Sequence, residues 1–128
     1  MDITYSRTTK KTPEQALEAL KRALPGVGFG VLWELSFAQK LKEKGVDFAG
    51  QFHVLEVCNP HQAKKVLDEE IEIGFFLPCK MAVYVKDGHT HVGMPKPTAL
   101  MSLTGNDRLL AVAQAVEVSL AQAIENAI

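Results

Sequence analysis

Apolar residues recur along this chain with two periods, and the switches between them divide it into strands and helices. Ile3–Thr8 alternates β-branched and aromatic residues with polar ones and reads as a first strand. At Thr12-Pro13-Glu14-Gln15 the period changes: Thr12 can cap a helix, Pro13 suits its first position, and Gln15 can reach back as a capping box. Ala16, Leu17, Leu20, Ala23 and Leu24 then fall on one helical face, and Pro25-Gly26 stops the helix. Gly28–Leu35 reads as a second strand. Its period of two places Phe29, Val31, Trp33 and Leu35 on one side and Gly30, Leu32 and Glu34 on the other. Ser36, with Gln39 three residues on, opens a short second helix that ends at Lys44-Gly45. A third strand spans Gln51–Cys58, and Asn59-Pro60-His61-Gln62 repeats the capping pattern. The third helix turns Ala63, Val66 and Leu67 inward.

Phe75–Lys86 and His89–Met94 read as a hairpin around Asp87-Gly88, since Asp-Gly readily takes the positive φ angles of a tight two-residue turn. That turn sets the register: Lys86 faces His89, Val85 Thr90, Tyr84 His91, and Val83 Val92. One face then carries Met81, Val83, Val85, Thr90, Val92 and Met94; the other carries Lys80, Ala82, Tyr84, Lys86, His89 and His91. Slipping by one residue would destroy both the turn and the apolar face. Pro95-Lys96-Pro97 is a rigid connection to a short turn or helix over Thr98–Leu103. Gly105-Asn106 introduces a last helix with a long apolar stripe running from Leu109 through Val116 and Leu120 to Ala127.

The order β-α-β-α-β-α-β-β-α predicts an α+β fold. It comprises a five-stranded, mostly antiparallel or mixed sheet with helices packed on one face, in a single domain over residues 1–128. Composition changes this picture little. The chain has 47% hydrophobic and 23% charged residues, with a net charge of −1. No basic excess exists to neutralise phosphates, so nucleic acid is not an expected partner. No apolar run approaches the roughly 20 residues of a membrane span. The first 25 residues are polar, without an apolar run and cleavage signal, so the expected location is the cytoplasm. Two cysteines, Cys58 and Cys79, form neither a disulfide framework nor a paired CxxC zinc site.

Candidate chemistry is sparse. Cys58 ends a strand just before Asn59 and Pro60. Free N–H groups and the positive dipole end of the helix there favour a thiolate or a bound anion. Cys58 is therefore the candidate catalytic thiol, and Cys58 and Asn59 candidate anion contacts, against a reading of Cys58 as corner packing. Cys79 shares the parity of Met81 and Val83 and fits a core role. If its strand neighbours that of Cys58, a redox pair or metal site becomes possible. His89 and His91 lie on one strand face but make an incomplete metal site, and His53 and His61 are lone histidines, so no metal site is expected. Gly26-x-Gly28-x-Gly30 precedes a strand, the reverse of a phosphate cradle. Glu34 and Glu56 lie on different strands with no predicted pairing. No cofactor and no reaction are specified.

Several segments taken together resemble one family. They are Gly28-Phe29-Gly30-Val31-Leu32 with Glu34, Leu41-Lys42-Glu43-Lys44 with Gly45-Val46-Asp47-Phe48, Cys58-Asn59-Pro60, Glu72 through Cys79, and Gly105-Asn106. Their order and spacing resemble the domain of unknown function 302 family. The resemblance implies a TATA-box-binding-protein-like β-α-β(4)-α fold and a homodimer, and no activity. Glu56 departs from the small residue that the resemblance leads one to expect. Two functions follow as expectations. The first is a homodimeric binding or interaction module whose open sheet face, with Leu32, Tyr84, Lys86 and His91, takes a partner subunit or a small ligand. The second is a thiol-dependent enzyme or redox protein using Cys58, with or without Cys79.

Overall fold

The structure, a computed structural model, describes residues 2–128. Five strands form one sheet: β1 (Thr4–Thr9), β2 (Gly30–Ser36), β3 (Phe52–Cys58), β4 (Cys79–Lys86) and β5 (His89–Pro95). Their order is β1-β5-β4-β3-β2 and every neighbouring pair is antiparallel. The helices are α1 (Pro13–Ala23), α2 (Phe37–Glu43), α3 (Pro60–Glu69), α4 (Pro97–Ser102) and α5 (Asp107–Ala127), with 3-10 turns at Pro25–Val27 and Ile71–Phe76.

The caps sit where the sequence places them. Thr12 and Gln15 form the reciprocal capping box of α1. Ser36 accepts from the Gln39 amide, and Asn106 from those of Arg108 and Leu109. The hairpin register is the expected one, and Asp87 and Gly88 both take positive φ, 53° and 76°. α1 and α5 cover one sheet face. Leu20 from α1, Leu24 just past its end, and Leu120 and Ile124 from α5 bury themselves against Leu55, Val57, Met81, Val83 and Val92. Lys21 of α1 ties this layer to β2 through Glu34 at 2.6 Å. A smaller cluster of Val66, Ile73, Met101, Leu109 and Ala113 joins α3, α4 and the start of α5.

Two local expectations are corrected. β4 begins at Cys79, not Phe75, because Pro78 has no N–H to give a ladder and residues 71–76 wind into a 3-10 turn instead. In β2, Val31 pairs with Val57 but Trp33 pairs with Glu56, so Leu32 is an extra residue in a β-bulge. The bulge reverses the facing beyond it: Trp33 and Leu35 lie on the opposite sheet face from Val31. β2 is an edge strand, where a bulge also breaks the flat row of free backbone groups that would otherwise invite pairing.

Candidate functional site

The sheet face away from α1 and α5 carries its own rows of side chains, with Val54 and Ala82 buried among them, and the register shows how it is built. Three rows of side chains run across the strands. The middle row is Leu35, Val54, Ala82, Gly93 and Ser6. On one side stands Phe52, Tyr84, His91 and Thr8; on the other, Trp33, Glu56, Lys80 and, across β5, Pro95 and Thr4. Over β4, β5 and β1 the middle row is Ala82, Gly93 and Ser6, all small, while its neighbours are long or aromatic. A trough therefore crosses the strands. Residues two apart on a strand lie about 6.8 Å apart, so its walls stand roughly 13 Å from each other. Its volume is ≈ 630 Å³.

One wall is a ring ladder. Phe52 stacks on Tyr84 (5.2 Å, 18°), Tyr84 on His91 (5.0 Å, 7°), and Phe37 meets Phe52 edge-on at 5.9 Å. The Tyr84 hydroxyl shares a hydrogen bond with Ser6 Oγ across the floor, at 3.3 Å. Lys80, Lys86 and His91 line the trough, and no carboxylate among the described residues does. Neither lysine forms an ion pair among the described residues. Gly93 is needed in the floor because a Cβ there would lie 2.8 Å from the Tyr5 carbonyl oxygen and 3.1 Å from Ser6 Cβ.

At its Lys80–Pro95 end the trough meets a second depression of ≈ 370 Å³. Phe75, Phe76, Leu77, Pro97, Leu100 and Met101 make it apolar, and its charged lining residues are Glu56 and Lys80. Phe75 is 88% exposed and Phe76 44%, an unusual placement for two adjacent large rings.

The cysteines stand apart from the trough. β3 and β4 are neighbours, with Val57 opposite Cys79, so both thiols come to the same end of the sheet. Both line a small pocket of ≈ 50 Å³ between the two core clusters. That space holds a few waters at most. Cys79 also reaches the apolar groove. Burial first, then the nearby Cys58 and Glu56, push the Cys79 thiol up to about 11, so it stays protonated and unreactive at neutral pH. Asn59 caps α3, its Oδ1 accepting from the His61 and Gln62 amides at 3.0 and 3.1 Å. The N–H groups that an anion would need are thus already held. Tyr84 and His91 lie together in the ladder; Cys58 and Asn59 line the small pocket instead, and Cys79 lies between that pocket and the groove. Among the described residues no three His, Cys, Asp or Glu side chains gather to hold a metal ion, and no helix is long and apolar enough to cross a membrane.

The Cys79 shift has a consequence for stability. Between pH 9 and 11 the unfolded chain gives up a thiol proton that the folded chain keeps, so stability falls as pH rises through that window. The expected slope is about 1.4 kcal/mol per pH unit. Urea unfolding at pH 8 and pH 10 should show the loss in the wild type and a clearly smaller one in Cys79→Ala.

Sequence reasoning missed the apolar groove, since Phe75 and Phe76 read as strand, and it misplaced Trp33. It did contain the signal for the trough: the hairpin register sets Ala82 opposite Gly93, a gap beside Tyr84 and His91.

Comparison with known proteins relates the chain to one family and to a solved structure. The family model described as "Domain of unknown function DUF302" matches residues 5–127. The crystal structure of an uncharacterized conserved DUF302 protein from Bacillus stearothermophilus is 39% identical, covers all of both chains, and superposes with a TM-score of 0.95. No curated protein matches the chain.

Proposed function

Because the chain belongs to the DUF302 family, whose description assigns no activity, we propose its function from the surface itself: a homodimeric module that binds a small molecule on the open sheet face. The observation that carries this reading is the trough. Its floor of Ala82, Gly93 and Ser6 leaves space that larger residues would fill, and its walls offer stacked rings and two unpaired lysines. Ligand sites of this kind are concave, largely apolar and furnished with a few polar groups. The dimer rests on the family resemblance, and the cytoplasm is its proposed location. Sedimentation velocity at micromolar concentrations should give twice the chain mass; a strict monomer rejects the dimer. Binding of the dye 8-anilinonaphthalene-1-sulfonate should raise its fluorescence, and Tyr84→Ala should weaken it by tenfold or more. Equal binding by the variant rejects the trough as the site.

A second, thiol-based reading has one observation behind it, the shared cavity of Cys58 and Cys79. In that reading Cys58 is the reactive group and Cys79 its protonated neighbour. Labelling of native protein with a maleimide at pH 7 should then modify Cys58 faster than a free thiol; labelling no faster than glutathione removes this alternative.

A further inference from the structure

The trough and the apolar groove meet at Lys80 and Pro95 but differ in chemistry. The trough is lined by Lys80, Lys86 and His91 with the hydroxyls of Ser6 and Thr8, and has no acid among the described residues. The groove under Phe75 and Phe76 has Pro97, Leu100 and Met101 along its wall, with Glu56 and Lys80 as its charged lining residues. Both are open, with a cation standing where they join. We propose that the ligand is an amphipathic anion, its acid head held in the trough beside Lys80 and its hydrocarbon chain laid in the groove beneath Phe75 and Phe76. This rests on the open-face reading and deepens it.

The charges set which way the molecule lies. Glu56 borders the groove on the β3 side of Lys80 and would repel an acid head there. The head therefore sits on the β5–β1 side of Lys80, toward the Ser6 hydroxyl on the floor, where the charged lining residues are positive. The exposed rings have a role in the same arrangement. An aromatic residue 88% exposed leaves a large apolar area in water unless something covers it, and a chain in the groove would do so. Each methylene so buried multiplies affinity about fourfold.

The test is calorimetric titration of the intact protein with octanoate, decanoate, decanol and decyltrimethylammonium, all below micelle formation. Decanoate should bind about fifteenfold more tightly than octanoate, and more tightly than the alcohol or the cation. Lys80→Glu should weaken decanoate by tenfold or more and leave decanol unchanged. Phe75→Ala, at an exposed position, should shrink the octanoate–decanoate difference. Failure of decanoate to bind, equal binding of all three ten-carbon probes, or an unchanged affinity in Lys80→Glu overturns the proposal. The naphthalene dye separates the two readings. If it binds through Tyr84 while decanoate fails, the amphipathic ligand is wrong and the open-face site stands; if neither binds, both fall.

Discussion

Replacing Gly93 with alanine should cost about 1–3 kcal/mol of stability, the usual toll of forcing an extra methyl into a packed site, and should abolish ligand binding on the open face. The new Cβ would stand 2.8 Å from the Tyr5 backbone oxygen, and β1 has to shift to admit it. A flexible side chain could swing aside, but a carbonyl fixed in the strand pairing of β1 with β5 cannot. The same methyl rises from the trough floor between Ala82 and Ser6, so the strand edge and the site fail together. Urea unfolding reads the first effect and dye binding the second. Ala82→Gly, on the same floor, removes volume instead and should leave the dye bound. Loss of stability without loss of binding in Gly93→Ala would show that the floor of the trough does not contact ligand.

Leu55→Ala should be the more damaging change to the fold, at about 2–5 kcal/mol, the range for truncating a fully buried leucine. Leu55 is 0% exposed and lies in the cluster joining β3 to α1 and α5. For a protein of ordinary stability, about 5–15 kcal/mol, that is a large share. Its chain neighbour Glu56 faces the other way, onto the opposite sheet face beside Lys80. Glu56→Ala should therefore change stability by no more than about 0.5 kcal/mol. Thermal or urea unfolding of the two variants measures the contrast between the faces with one residue's separation. Similar costs for both would mean that the open face is packed against something in solution.

Much of this arrangement is legible in the sequence. Caps at Thr12, Ser36, Asn59 and Asn106 marked helix starts because short polar side chains satisfy free amides there, a local effect that local sequence records. The Asp87-Gly88 turn carried the whole register of β4 and β5 for a similar reason. What escaped was non-local. The bulge at Leu32 comes from the fit of β2 against β3, and nothing within Gly28–Leu35 announces it; parity reasoning thus set Trp33 with Val31 on one face. The run Phe75-Phe76-Leu77 is apolar enough to pass for buried strand, yet Pro78 ends the ladder and leaves two rings exposed. The candidate site divided along the same line. Tyr84 and His91 followed from the register. That Cys58 and Cys79 come to one cavity depended on β3 pairing with β4, which periodicity does not encode.

The most direct test of the central claim is a map of backbone amide shifts in the intact protein as the naphthalene dye is added. The account predicts that the largest shifts fall on Ala82, Tyr84, His91, Gly93 and Ser6, with α1 and the outer side of α5 unmoved. Shifts confined to the helical layer, or to the cavity around Cys58, would contradict it.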